Sequence, residues 1–283
     1  MANLFTIPEL SEIRREISIY RTPLKTIDKE TIRKISSAFD MKARAIDSGS
    51  RIMVKDRFGV LEIFEASGSI WWTKQNRSRS ERRKSVRFLS EKKAIEKANP
   101  YLKTVGLADR KAKPKSVSYT ETFIERSKDK QPTGVITHQH VNYEFSLDDL
   151  PVFGPGAKIQ VTFSENNQVV EVLKFWREPK KERRKYKLIS IETAIKIFQK
   201  HEAFWDISKR TAKIQANEIS LGYYALPPRE IQVCLIPVYR FKGFVSTKDF
   251  ARYDFAKYVV AVDVEADTLK KIGGSITATP LVI

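Results

Sequence analysis

The apolar positions of this chain change period several times, and each change marks a new element. Across residues 1–24 no period holds, which predicts an irregular arm or a short helix around Pro8–Ile19. Ile32, Ile35 and Phe39 then recur at helical spacing behind Asp28, a suitable N-cap, predicting a helix over 28–40. From Arg51 the period falls to two. Ile52–Val54, Val60–Phe64 and Ile70–Thr73, separated by Asp56–Gly59 and Ala66–Gly68, predict a β-meander. Ser90 caps a second helical face of Ala94, Ile95, Ala98, Leu102 and Val105. Gly106 closes this face, and Pro100 kinks or divides it.

The central stretch, residues 141–178, reads as a strand, a Leu-Pro-Val corner and a β-hairpin. Before it, Lys111–Ser116 reads as a solvated loop, Val117–Glu125 as a strand and Gln131–Gly134 as a turn. Val135–Phe145 is the long strand, with Val141, Tyr143 and Phe145 on one face. In the hairpin Ile159, Val161 and Phe163 alternate with Lys158, Gln160 and Thr162. The chain turns at Ser164–Asn167 and returns along Val169–Trp176. Ser190 caps a third helical face of Ile191, Ala194, Ile195 and Phe198. Strands follow near 212–226, 231–241 and 252–264, and the apolar tail Ile276–Ile283 offers an edge strand.

Three short matches recur in the same order. Phe88–Ile95 resembles Leu188–Ile195, Leu150–Phe153 resembles Ile236–Tyr239, and Val169–Val172 resembles Val259–Val262. They predict an α+β fold of two helix-on-antiparallel-sheet repeats with an N-terminal helix and β-meander. The arm and helix would occupy 1–50, the first repeat with its meander 51–178 and the second repeat 179–283. Capped helix, strands, the Leu150–Gly156 corner, hairpin and terminal Val259–Val264 resemble the PepSY and cystatin-like group, over roughly residues 50–265. That group includes tandem-repeat bacterial regulators of sensor kinases or spore-germination hydrolases, and propeptides of thermolysin-type proteases. The resemblance implies a non-enzymatic binding or inhibitory role, usually outside the cytoplasm.

Charge changes the picture. The net charge is +18, and two short stretches carry most of it. Residues 74–97 hold ten Lys/Arg against three Glu, and residues 174–187 hold eight against two. Such clusters suit polyanions or anionic membranes, and also suit a solvated linker. Each follows tryptophan, so Trp71, Trp72 and Trp176 are candidates to stack bases. Beside them Arg77, Arg79, Arg82, Arg83, Lys84, Lys180, Lys181, Arg183, Arg184 and Lys185 would neutralise phosphates. The resemblance does not predict this basicity.

Other chemistry is sparse. Cys234 is the only cysteine, which excludes an intramolecular disulfide and a cysteine-based zinc site. His138, His140, Asn142 and Glu144 share one strand face, which reads as a solvated face and alternatively as a metal site. No further histidine cluster completes a ligand set. His201-Glu202 reads as the polar end of a helix, Asp148-Asp149 as a solvated turn, and Gly154-Pro155-Gly156 as a tight turn rather than a phosphate loop. No catalytic residue, metal or cofactor is expected.

Apolar runs are too short for a transmembrane segment, and the start lacks a signal-peptide core. The chain as written therefore reads as cytoplasmic, or as extracytoplasmic if a signal or anchor has been removed. The expected function is non-catalytic, engaging a protein partner through tandem repeats. The alternative is a nucleic-acid or anionic-surface binder using the two basic stretches.

Overall fold

The computed structural model describes residues 4–6, 14–42, 44–75, 88–124, 133–200, 213–246 and 252–262. Fifteen strands and three helices are found there. The strands are β1 (Leu4–Thr6), β2 (Glu16–Arg21), β3 (Ala45–Asp47), β4 (Arg51–Lys55), β5 (Gly59–Phe64), β6 (Ser69–Lys74), β7 (Ala112–Ile124), β8 (Thr133–Leu147), β9 (Leu150–Phe153), β10 (Lys158–Ser164), β11 (Val169–Phe175), β12 (Lys180–Lys187), β13 (Lys213–Tyr224), β14 (Cys234–Ser246) and β15 (Tyr253–Val260). The helices are α1 (Lys29–Ala38), α2 (Glu91–Thr104) and α3 (Ile191–Lys200).

A continuous ladder runs β12-β2-β14-β13-β9-β8-β10-β11-β6-β5-β4-β3. Strand β7 pairs β8, β15 pairs β14 and β1 pairs β13. The pairings of β13 with β1 and with β9 are parallel and the others antiparallel, so the sheet is mixed. Short β9 is the hinge. It pairs β8 through Phe145–Val152 and β13 through Tyr223–Val152, joining the first half of the ladder to the second.

This large mixed sheet overturns the expected fold class of two helix-on-antiparallel-sheet repeats, and the cystatin-like description with it. The matched segments occupy unlike positions. Leu150–Phe153 is the four-residue bridging strand β9, whereas Ile236–Tyr239 lies within the thirteen-residue β14. Val169–Val172 lies in β11 between β10 and β6, whereas Val259–Val262 runs off the end of β15, which pairs β14, to the isolated bridge Leu188–Val262. Nor do the boundaries at 50 and 178 separate sheets, because β2 pairs both β12 and β14. The arm read as irregular or helical is therefore strand at 16–21. The loop read at 111–116 is largely the start of β7.

The local signals were sound where they concerned caps and alternation. Asp28 Oδ1 accepts from Thr31 N–H at 2.8 Å, and the Ser90 and Ser190 hydroxyls accept from Lys93 and Thr193 N–H. One hydrophobic cluster spans the molecule, from Leu61 and Ile63 through Val141, Phe145 and Ile159 to Ile214, Phe241 and Val259. Helix α2 buries Ala94, Ala98 and Leu102 against the first half. In the second half Phe198 of α3 stacks on Phe241 with ring centroids 4.3 Å apart. None of the described helices is long and apolar enough to cross a membrane.

Candidate functional site

The second basic stretch, read as a linker, is the edge strand β12. Six of its eight residues are Lys or Arg, a poor β composition, so the strand conformation is imposed by pairing with β2. Lys180, Lys181, Arg183, Arg184, Lys185 and Lys187 are exposed, while Glu182 and Tyr186 are half-buried. The ladder is interrupted in the middle. Lys181 opposes Tyr20 and Lys185 opposes Ser18, so β12 carries two extra residues there and bulges.

Not all of these cations are free. Lys181 Nζ lies 2.7 Å from an Asp148 carboxylate oxygen, in the two-residue turn that links β8 to β9. Burial acts to raise the Asp148 pKa, but hydrogen bonds from Lys181 and Tyr20 outweigh it and hold the carboxyl below its usual range. Arg21 of β2 pairs with Glu182. Among the described residues, no carboxylate lies within ion-pair reach of Lys180, Arg183, Arg184, Lys185 or Lys187; Arg184 instead sits over the Tyr186 ring at 5.0 Å. These five form the uncompensated strip.

The backbone of β12 has an open side. Leu188 N–H donates to Arg15 O at 3.0 Å, toward β2. Alternate residues of a strand point their N–H and C=O groups opposite ways, so those of Lys185 and Lys187 face away from β2. On that outer side the described chain makes one contact. Ile189 N–H donates to Ala261 O at 2.9 Å, and Leu188 pairs antiparallel with Val262. Sequence patterning does not show which backbone groups face outward, so the outward position of Lys187 emerges only from the structure.

Arg77, Arg79, Arg82, Arg83 and Lys84 lie outside the described residues, as does His201-Glu202. The stacking role is corrected for two of the three tryptophans. Trp72 is buried and stacked on Phe39 at 4.7 Å, and Trp176 is buried and stacked on Phe145 at 3.8 Å, so neither ring is open to a base. Trp71 is half-buried and donates its Nε1–H to Glu171 at 2.7 Å.

That bond belongs to a polar row across the sheet face opposite Val141 and Phe145. Thr162 donates to Glu171 at 3.0 Å, so its oxygen accepts from His140 Nδ1 at 3.0 Å. Nε2 of the neutral ring accepts from Thr120 at 2.6 Å. Burial pulls the His140 pKa down; Glu171 opposes this and His138 adds to it. The His138–His140 end of this face is thus a half-buried, hydrogen-bonded row lining a groove of about 280 Å³, whereas Glu144 at the other end is exposed and pairs with Lys115. No group of three or more metal-ligating side chains occurs among the described residues. Cys234 is buried, and desolvation pushes its thiol up to about 12.

A larger cavity of about 740 Å³ lies between α1, the end of α2 and the sheet. Its lysines are partly neutralised, Lys25 by Glu178 at 2.7 Å and Lys174 by Asp109 at 3.3 Å. Strand β12 combines five uncompensated cations with outward backbone groups at Lys185 and Lys187.

No family model matches this chain, and no curated protein matches it. Among solved structures it is similar to an uncharacterized protein from Eubacterium rectale. The identity is 8% and the TM-score 0.51, over 89% of this chain and 85% of that one. At that identity the likeness bears on the fold alone.

Proposed function

We propose that this chain is a non-catalytic binding protein that captures an acidic polypeptide strand along the outer edge of β12. The observation that carries the reading is the coincidence, on one strand, of outward backbone groups at Lys185 and Lys187 with the uncompensated cations around them. Strand addition would supply main-chain hydrogen bonds, and the cations would select carboxylates at alternate positions of the partner. Lysines and a bulge on an edge also guard against self-pairing, and here they disfavour a second copy, since two such edges repel. A nucleic acid could use the cations but not the backbone ladder, and with Trp72 and Trp176 in the core it would lack their stacking platforms.

The test compares a labelled acidic peptide, alternating Glu with Val or Thr, with its N-methylated counterpart of equal charge, by fluorescence anisotropy. The unmodified peptide is expected to bind about tenfold tighter, and Lys185→Glu with Lys187→Glu to abolish the difference. Equal binding of the two peptides would refute strand addition. Tighter binding of a single-stranded oligonucleotide of the same charge, weakening steeply with salt, would replace it with polyanion binding.

A further inference from the structure

The cavity between α1, the end of α2 and the sheet shares no residue with β12 and has its own logic. Thr31, Lys34, Ile35 and Ala38 recur three or four residues apart, so they share the stripe of α1 that forms one wall. Helix α2 stops at the same place. Gly106, at φ +69°, donates its N–H to Lys103 O, and Leu107 N–H donates to Leu102 O, the paired bonds of a Schellman ending. Buried Val105 and Leu107, on either side of that glycine, form a second wall. Ile63 of β5, Ile70 of β6 and Trp176, the residue after β11, make a buried apolar floor. A volume of about 740 Å³ over such a floor has the size and lining of a small-molecule site.

Charge is arranged at the rim. Lys25 pairs with Glu178 at 2.7 Å and Lys174 with Asp109 at 3.3 Å, so four of the charged side chains cancel in pairs. Lys34 remains, and among the described residues no carboxylate lies within ion-pair reach of it. The cavity therefore carries one net positive charge above an apolar base. Trp176 adds an unmet demand. Its ring is stacked on Phe145, and its Nε1–H has no acceptor, a donor that the protein itself leaves unused.

We propose that this cavity binds an amphiphilic carboxylate, with its hydrocarbon or aromatic body on the floor of Ile63, Ile70 and Trp176 and its carboxylate beside Lys34. The charge balance selects the head group, because a cation would be repelled by Lys34 and a neutral head would gain nothing from it. The floor selects the body, because a small hydrophilic anion would leave that apolar surface wet. Lys25 and Lys174 are already satisfied, and drawing either one to the ligand would strip Glu178 or Asp109 of its partner.

Calorimetric titration of the full chain with decanoate, decanol and hexanoate tests head and body separately. Decanoate should bind at least about tenfold tighter than decanol, which lacks the charge, and at least about tenfold tighter than hexanoate, whose shorter body covers less of the floor. Lys34→Glu, at an exposed position of α1, should erase the preference for decanoate over decanol. Ala38→Phe, which fills the cavity from the same stripe, should weaken decanoate and decanol alike by at least about tenfold. If Ala38→Phe fails to fold, Lys34→Glu still decides. Lys185→Glu with Lys187→Glu should leave decanoate binding unchanged, which separates this site from general attraction to a basic chain. No binding of decanoate, equal binding of decanoate and decanol or of decanoate and hexanoate, or a preference for decanoate that survives Lys34→Glu and is lost with the β12 reversals, would overturn the proposal.

Discussion

Arg177 supplies the sharpest test of how the two halves of the sheet are locked together. The residue is 4% exposed, and its guanidinium donates to the carbonyls of Leu226 and Pro227 at 2.8 Å each and to that of Glu230. These carbonyls belong to the loop between β13 and β14, so a side chain leaving β11 holds a turn of the other half. Each bond from a charged donor contributes about 1.5 kcal/mol at the lower end, or about 4–5 kcal/mol for three. Burial of the cation opposes this, as its pKa, drawn from 12.5 to about 10, records. Replacement by Met removes that penalty with the bonds but leaves carbonyls that only partly rehydrate, so the expected net loss is about 2–3 kcal/mol. Urea unfolding should show it as a lower midpoint at unchanged slope. Arg177→Lys, which keeps charge but not the planar fork, should fall between. A loss below about 1 kcal/mol for Arg177→Met would refute the view that the guanidinium organises this loop.

Other outcomes are equally specific. Because the folded His140 pKa lies below its ordinary 6.5, the unfolded chain takes up its proton first as pH falls. His140 should therefore cost stability as pH drops below about 6.5, until the folded pKa is passed. Midpoints of wild type and His140→Gln measured at pH 7.5 and 5.5 should diverge in that direction, and parallel shifts would sink the assignment. Gly154 has φ +90°, and an added Cβ would meet the Ala225 carbonyl, whereas Gly49 at φ +83° has nothing within 4 Å. Gly154→Ala should cost about 2–4 kcal/mol and Gly49→Ala only about 1–2 kcal/mol by thermal or urea unfolding, since both bear the dihedral cost but one bears the clash.

What was legible in the sequence was local, and what failed was pairing between distant segments. Helix starts at Asp28, Ser90 and Ser190 are written within four residues, because a cap and its N–H partner are sequence neighbours. The alternation in Lys158–Ser164 likewise reports one buried face directly. Strand β12 has no such signal. Its side chains say linker, and its ladder comes from residues 16–21, whose own pattern was too short to identify. The apparent duplication misled for a related reason: Pro-Val and Val-Val are what any buried strand tolerates, so they recur without a shared topology. For the proposed site, charge drew attention to residues 180–185, which lie in strand β12. Trp72 and Trp176, which precede the two basic stretches, belong instead to the core, since Phe39 and Phe145, far away in sequence, stack on them.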